Sequence, residues 1–398
     1  MTDNRTLEVL YHGNTVGTLA EMPDRRIAFQ YSEEWIRNGF SISPLSLPLN
    51  RNVFVPHERT RDRFEGLFGV FADCLPDAWG RLLLDRYLES IGIKRENIKT
   101  LDRLAYIGSS GMGALEYHPC KKADFDIADA EMDIDTIAME CEKLLSAGDS
   151  DAFDLIYKIG ASSGGTRPKI LISEAGKEWI IKFPSKNDPA ESGKMEYDYY
   201  TCAKKAGIKM SDSQLIKSSI CDGYFKTKRF DRIKSGKLFT ITMAALLEAD
   251  FRAPSCNYES LFKLVRLLTK DNREDKEQLF RTMCFNVLAH NKDDHAKNFS
   301  FTYSEEKGWR LAPAYDLTYS DTYWGEQTTS VNGKGTGISK DDIITVGTGA
   351  GLSKNICEKC YEEVSSAISP LKKYTSKSGT AKGRHISFSE RIAELAKE

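Results

Sequence analysis

At 398 residues, with a formal net charge of −2 and 29% charged side chains, the chain has room for two or three domains and lacks the overall basic excess of a dedicated nucleic-acid binder. The opening "MTDNRTLEVL" carries no apolar signal core, and no stretch approaches the roughly 18 apolar residues of a membrane span, so a cytosolic protein without membrane contact is expected. Nine scattered cysteines, an odd number without a framework, suit reduced thiols better than disulfides.

Residues 1 to about 50 read as short strands: "LEVLYHGNTVGTLAE" has a Gly-Asn turn between Tyr11 and Val16, and "RRIAFQYS" alternates. Residues 62–92 space apolar residues helically and break at Pro76, and 132–146 form another helix. From about 151 the pattern changes to a glycine-rich loop between apolar strands, followed by helices. In "KEQLFRTMCFNVLAH" the positions Leu279, Met283, Cys284, Val287 and Leu288 predict a helix with one face on the core, ending in a polar loop. After it "NFSFTYS" alternates as a strand, and "GWRLAPAYDLTYS" offers a second strand that should stop at Asp316. The CxxC at Cys357–Cys360 has no second ligand pair and reads as helical thiols rather than a metal or redox site. Residues 371–385, rich in Lys, Ser, Thr and Gly, read as a mobile exposed loop, solvated rather than committed to phosphate. There is no internal repeat.

Two stretches carry chemistry. In "YKIGASSGGTRPKILISEAGKEWIIKFPSK", residues 157–186, three glycines and two serines allow backbone N–H groups to turn toward an anion, and a hairpin at Ala175-Gly176 leads to Lys182 on the next strand. That order is how protein kinases cover ATP phosphates and then neutralise them; a flexible hairpin with a surface lysine is the plain alternative, and the Walker A pattern is absent. In "KDDHAKN", Asp293 precedes Asn298 by five residues, the acid-to-amide separation of the kinase catalytic loop, and Asp316 follows about where a second metal-binding acid would. The structural alternatives are helix capping by the paired acids and a turn closed by Asn298.

The chain resembles the HipA family of bacterial serine/threonine kinases, the toxins of type II toxin-antitoxin modules, almost end to end. The supports are "SISPLSLPL" at 41–49, "FADCLPDAWGRLLLDR" at 71–86, "MGALEY" at 112–117, "SSGGTRPK" at 162–169, "IIKFP" at 180–184, "KRFDR" at 228–232, "DDHAKNFS" at 293–300, "LAPAYDL" at 311–317 and "SVNGK" at 330–334. The resemblance implies an α+β, two-lobed protein-kinase-like fold with a small β-rich N-terminal subdomain at 1–120, a part carrying the glycine-rich loop and ATP lysine at 121–235, and a mainly helical C-lobe at 236–398.

Carried over position by position, it makes Asp293 the catalytic aspartate, Asn298 and Asp316 the Mg²⁺ ligands, and His295 and Lys297 the lining of the phosphate side. Lys182 and the loop Gly164, Gly165, Thr166, Arg167, Pro168 and Lys169 would meet the phosphates of ATP. Lys228, Arg229 and Phe230 would form the adenine hinge, with Tyr315 completing the nucleotide site. Asp294 stands where relatives often have a small residue and is therefore expected to be exposed. Asp231 either holds the hinge or closes a turn; Glu196 either pairs with Lys182 or lies on a helix face; residues 185–194 match the activation loop. Ser162 takes the place of the autophosphorylated serine, with Ser163 next, the alternative being a polar turn. The family further implies a HipB-like helix-turn-helix antitoxin, contact with DNA only through it, and a protein substrate such as an aminoacyl-tRNA synthetase. The rival classes are a kinase-like binding partner that has lost activity and a small-molecule kinase.

Overall fold

The computed structural model describes residues 6–121, 133–146, 150–160, 164–250, 256–321 and 325–375. The chain divides into two compact units: residues 1–186 with 231–241 and 245–248, and residues 187–230 with 242–244 and 249–398.

In the first unit, β1 (Thr6–Tyr11), β2 (Asn14–Glu21) and β3 (Ile27–Tyr31) form an antiparallel meander. Along β1, Leu7, Val9 and Tyr11 point inward while Thr6 and Glu8 face water, the period of two expected of a sheet with one solvated face. The β1–β2 turn is made by His12 and Gly13, both at positive φ (48° and 79°), the backbone that a tight hairpin demands. A helix unforeseen in the sequence, α1 (Glu33–Asn38), follows, capped by the Ser32 side chain. β4 (Val53–Phe54) and, after a long excursion, β5 (Leu115–His118) complete a five-stranded sheet in the order β4-β3-β2-β1-β5.

The excursion holds the short helices α2 (Thr60–Arg63) and α3 (Gly69–Ala72), then α4 (Ala78–Ser90), starting just past Pro76 as the sequence predicts, and α5 (Thr100–Ile107). Trp79, Leu83, Leu84, Tyr87 and Leu88 form the buried stripe of α4. Against it lies α7 (Phe153–Gly160), reached through α6 (Ile134–Leu145), with the Tyr87 and Tyr157 rings 4.6 Å apart. The β6 (Lys169–Glu174)–β7 (Lys177–Lys182) hairpin turns at Ala175-Gly176 and pairs Lys169 opposite Lys182.

The second unit begins with α8 (Ser192–Lys205) and the antiparallel pair β8 (Ser213–Ile216) and β9 (Tyr224–Lys228). The chain passes through β10 (Arg232–Ile233), β11 (Gly236–Lys237), β12 (Phe239–Thr242) and α9 (Met243–Leu247) before β13 (Cys256–Asn257) leads into α10 (Tyr258–Leu268) and α11 (Arg273–Leu288). Asn257 and Asn272 cap these helices by accepting from Ser260 N and Asp275 N. Leu279, Phe280, Met283, Cys284 and Phe285 of α11 are all buried, so the helix is enclosed on more than the single face its periodicity suggested; Val287 and Leu288 are half-buried.

β14 (Ser300–Ser304) and β15 (Gly308–Leu311) form a hairpin, and β16 (Thr329–Ser330) pairs in parallel with β13. The second strand thus ends at Leu311, five residues short of Asp316, where the sequence pattern places its end. Pro313 has no N–H to continue a ladder, and the chain leaves β15 for an isolated bridge between Ala314 and Met210.

α12 (Lys340–Gly349), opened by a Ser339–Asp342 capping box, and α13 (Lys354–Ala367) close the unit. Cys357 and Cys360 are buried along α13, and burial pushes each thiol up to about 11. The start of the stretch expected to be a mobile loop is instead ordered. α14 (Lys372–Thr375) buries Tyr374, whose hydroxyl reaches Asp198 at 2.8 Å alongside Lys373 at 2.7 Å, and Leu371 before it is buried. The apolar side chains Leu371 and Tyr374 supply the anchor; residues 376–385 lie outside the described part. No helix among the described residues is long and apolar enough to cross a membrane.

Candidate active site

In the second unit, α11 stops at Leu288, and His290 at φ 56° turns the chain into residues 291–300. Asn298 donates its amide to the Asp293 carbonyl at 2.7 Å, and its N–H to the His295 carbonyl at 2.8 Å, closing a 3₁₀ turn over Ala296–Asn298. The acid and amide that the spacing singled out are therefore parts of one small loop. The Asp293 side chain is 58% exposed, and His295 Nε2 lies 3.8 Å from its Oδ1.

Asp294, expected to be exposed, is fully buried. Its Oδ1 accepts from Thr329 N at 2.9 Å, and its Oδ2 accepts from the Tyr258 hydroxyl at 2.8 Å and the Gln327 amide at 3.1 Å. The Thr329 hydroxyl also caps the Asp294 carbonyl at 2.5 Å. Behind these, Asn286 donates to Tyr258 Oη at 3.0 Å, and Asn291 donates to Asn286 at 2.9 Å. The β13–β16 pair explains the cage, since it sets Thr329 beside Cys256 and so close to Tyr258, the first residue of α10. Burial pushes the Asp294 carboxyl up to about 7, although the three donors pull the other way. Adjacent acids thus divide the work by environment: Asp293 is presented to solvent while Asp294 anchors the loop.

Tyr315, the residue before Asp316, is fixed to the same loop. The Tyr315 hydroxyl donates to the Lys297 carbonyl at 2.6 Å and contacts Ser300 Oγ at 2.5 Å, while Ala314 N donates to the Lys209 carbonyl at 2.8 Å. Asp316 itself sits at φ 53°, in the left-handed region that a non-glycine residue seldom occupies. The Phe230 ring stacks on Tyr315 with centroids 5.6 Å apart and planes at 24°. Lys228, ending β9, donates its N–H to the Asp212 carbonyl at 2.9 Å, and Arg229 is buried. The structure therefore gathers Asp293, His295, Lys297, Asn298, Tyr315, Asp316 and Phe230 in the second unit.

The first unit holds Gly164–Lys169 and Lys182. Gly165 has φ 88°, and Lys169 folds back so that its Nζ donates to the Gly164 carbonyl at 2.5 Å. At the loop's end, Phe183 N donates to the Pro168 carbonyl at 2.9 Å. Asp77, which sequence reading did not single out, accepts from Gly165 N at 2.9 Å. Ser162 and Ser163 lie outside the described residues. Asp231 is buried; its Oδ2 accepts from Gly113 N at 2.8 Å and from Arg232 at 2.7 Å, tying the end of the "KRFD" segment to the "MGALEY" turn. Glu196 is buried on α8.

Family models for the HipA N-terminal domain and the HipA-like C-terminal domain match residues 7–118 and 161–370. The chain belongs to the HipA family. Two proteins of Sinorhizobium fredii, Y4dM and Y4mE, each named as a candidate kinase, are 26% and 25% identical to this HipA-family chain, covering 88% and 80% of it and 87% and 78% of their own lengths. In fold it is similar to Shewanella oneidensis HipA, solved in a complex with HipB and operator DNA. That match has a TM-score of 0.68 at 19% identity and covers 98% of this chain and 96% of the other. The fold is the kinase-like α+β fold of HipA.

Magnesium prefers a few hard oxygen ligands and keeps its remaining places for water and phosphate. Among the described residues no cluster of three or more His, Cys, Asp and Glu side chains that could hold a metal is present. Asn298 and Asp316 fit magnesium chemically. Asn298 uses its amide nitrogen on Asp293, which leaves its Oδ1 as the oxygen to offer, and Asp316 follows directly on the anchored Tyr315.

Proposed function

We propose that this chain is a serine/threonine protein kinase that uses ATP and Mg²⁺ to phosphorylate a cytosolic protein, with a translation component such as an aminoacyl-tRNA synthetase as the expected substrate class. The observation that carries the reading is the loop at 291–300: a solvent-facing Asp293, closed onto Asn298 and anchored from beneath by Asp294.

In this reading the substrate hydroxyl approaches Asp293, which orients it and accepts its proton as the oxygen attacks the γ-phosphorus and the bond to ADP breaks. Asn298 and Asp316 would hold Mg²⁺, which when bound would neutralise charge on the phosphates. The family resemblance assigns phosphate contacts to Lys182 and residues 164–169 in the first unit and to His295 and Lys297 in the second. Backbone groups of Lys228, Arg229 and Phe230 take the adenine, with Tyr315, stacked on Phe230, completing the nucleotide site. Positioning and charge neutralisation supply most of the rate, as phosphoryl transfer asks little covalent chemistry of the protein.

The kinase names of the two Sinorhizobium proteins support this reading, and the HipB and operator DNA in the Shewanella complex support a HipB-like helix-turn-helix antitoxin as partner. Autophosphorylation at Ser162, or Ser163, would make the enzyme self-limiting by placing negative charge in a loop built for the phosphates of ATP. Incubation with Mg²⁺ and γ-labelled ATP tests the activity directly. Phosphoproteomics after brief induction, compared with Asp293→Asn, identifies the substrate; no label transferred to any protein, the chain included, would overturn the proposal.

A further inference from the structure

The segment "LPDAWG", residues 75–80, takes no part in the transfer just described. α4 starts at Ala78, and Asp77 stands at its N-cap, where a carboxylate ordinarily accepts the first N–H groups of its own helix. Asp77 makes no such capping bond. Its Oδ2 instead accepts from Gly165 N, in the middle of the glycine-rich loop, at 2.9 Å. Two residues on, the buried Trp79 donates its indole Nε1 to the Lys169 carbonyl at 3.0 Å, and its backbone N–H is directed at the Gly165 carbonyl at 3.4 Å. Gly160, the last residue of α7, packs on the same turn: a Cβ there would lie 3.0 Å from Leu83, 3.2 Å from the Lys169 carbonyl and 3.3 Å from the Trp79 indole. The end of α7, Gly165 within the loop and Lys169 at its exit therefore all rest on the first turns of α4.

A loop with this much glycine has many backbone shapes available, and only some turn its N–H groups toward an anion. Its shape must be imposed from outside, and α4 contacts it at Gly165 and Lys169. Resting on the kinase reading above, we propose that Asp77 and Trp79 are a latch that holds the glycine-rich loop in its phosphate-receiving shape, so that the N-terminal part of the chain sets the affinity for ATP. Asp77 is a positioning residue: it takes one loop N–H and thereby fixes the direction of the neighbouring ones.

The full chain carrying Asp77→Ala, Asp77→Asn or Trp79→Phe tests this by two measurements. Hydrogen exchange without nucleotide should rise at residues 164–170 in Asp77→Ala and Trp79→Phe and stay unchanged in the β1–β5 sheet. ATP should bind Asp77→Ala about tenfold more weakly, the scale of one lost charge-assisted hydrogen bond, while adenosine, which lacks phosphates, should bind as to wild type. Asp77→Asn, which keeps an acceptor for Gly165 N, should recover most of the ATP affinity; a merely structural role would move ATP and adenosine together. Wild-type exchange at 164–170 in both latch variants, or equal weakening of ATP and adenosine, would overturn the latch. A wild-type chain that binds no ATP would overturn the kinase reading instead, and exchange in the nucleotide-free protein would still decide whether the latch holds the loop.

Discussion

Asp294→Asn separates the anchoring of the catalytic loop from its chemistry. The wild-type carboxyl is fully buried and pushed up to about 7 by that burial, against 3.8 for a free aspartate. Between these values the folded protein keeps the proton that the unfolded chain has released, so the folded state binds more protons and stability falls as pH rises. The contribution is fully present below pH 3.8 and lost as pH climbs through about 7. At about 1.4 kcal/mol per pH unit, the loss between pH 5 and 7.5 is about 3 kcal/mol, since the slope ends near 7. Asparagine carries no proton equilibrium in this range. It will add a pH-independent offset, because its NH2 group must stand either in the place of Oδ1, against the Thr329 N–H, or in the place of Oδ2, against the Tyr258 hydroxyl and the Gln327 amide. Urea denaturation of wild type and Asp294→Asn at half-unit intervals from pH 5 to 8 gives the difference, and wild type should lose about 3 kcal/mol relative to the variant across that range. Parallel stability curves would refute the reasoning, since they would mean that the carboxyl is ionised throughout and the three donors outweigh burial.

Asp293→Asn should abolish phosphoryl transfer while ATP affinity changes little, whereas Asp316→Asn should weaken Mg²⁺-ATP binding; calorimetric titration with turnover assays checks both, and near wild-type turnover in Asp293→Asn would sink the assignment. After incubation with Mg²⁺-ATP, phosphopeptide mapping should place phosphate on Ser162 or Ser163 with ATP affinity reduced, and phosphate found only elsewhere counts against self-limitation. Arg103→Ala should cost about 3–5 kcal/mol in urea denaturation, because it strips the buried Asp85 of a guanidinium at 3.2 Å and leaves only Arg95 at 3.9 Å; a loss below about 1 kcal/mol would show that Arg95 and water replace it.

What the sequence made legible was local. The Asp293–Asn298 separation became a closed turn because a five-residue spacing suffices for an amide to reach back to a carbonyl, and that reach depends on nothing outside the loop. Pro76 marked the start of α4, and the Ala175-Gly176 turn fixed the hairpin that presents Lys182, for equally local reasons. What stayed hidden was set by partners far along the chain. Asp294 stands where family relatives often have a small residue, which suggests exposure, and nothing in "KDDHAKN" itself signals burial; its three donors come from Tyr258, Gln327 and Thr329, at separations of 36, 33 and 35 residues. Asp77 carries no signal of its own in the sequence; it stands at the N-cap of α4, and its carboxylate accepts from Gly165, 88 residues away, and makes no capping bond to its own helix. Both cases follow one rule: a carboxylate's role is fixed by which donors reach it, and tertiary structure chooses among donors that local sequence supplies in excess. Asp294 and Asp77 are bonded to distant backbone, Asp294 to Thr329 and Asp77 to Gly165 of the glycine-rich loop. Perturbing them should therefore change geometry and affinity, whereas perturbing Asp293 should change chemistry.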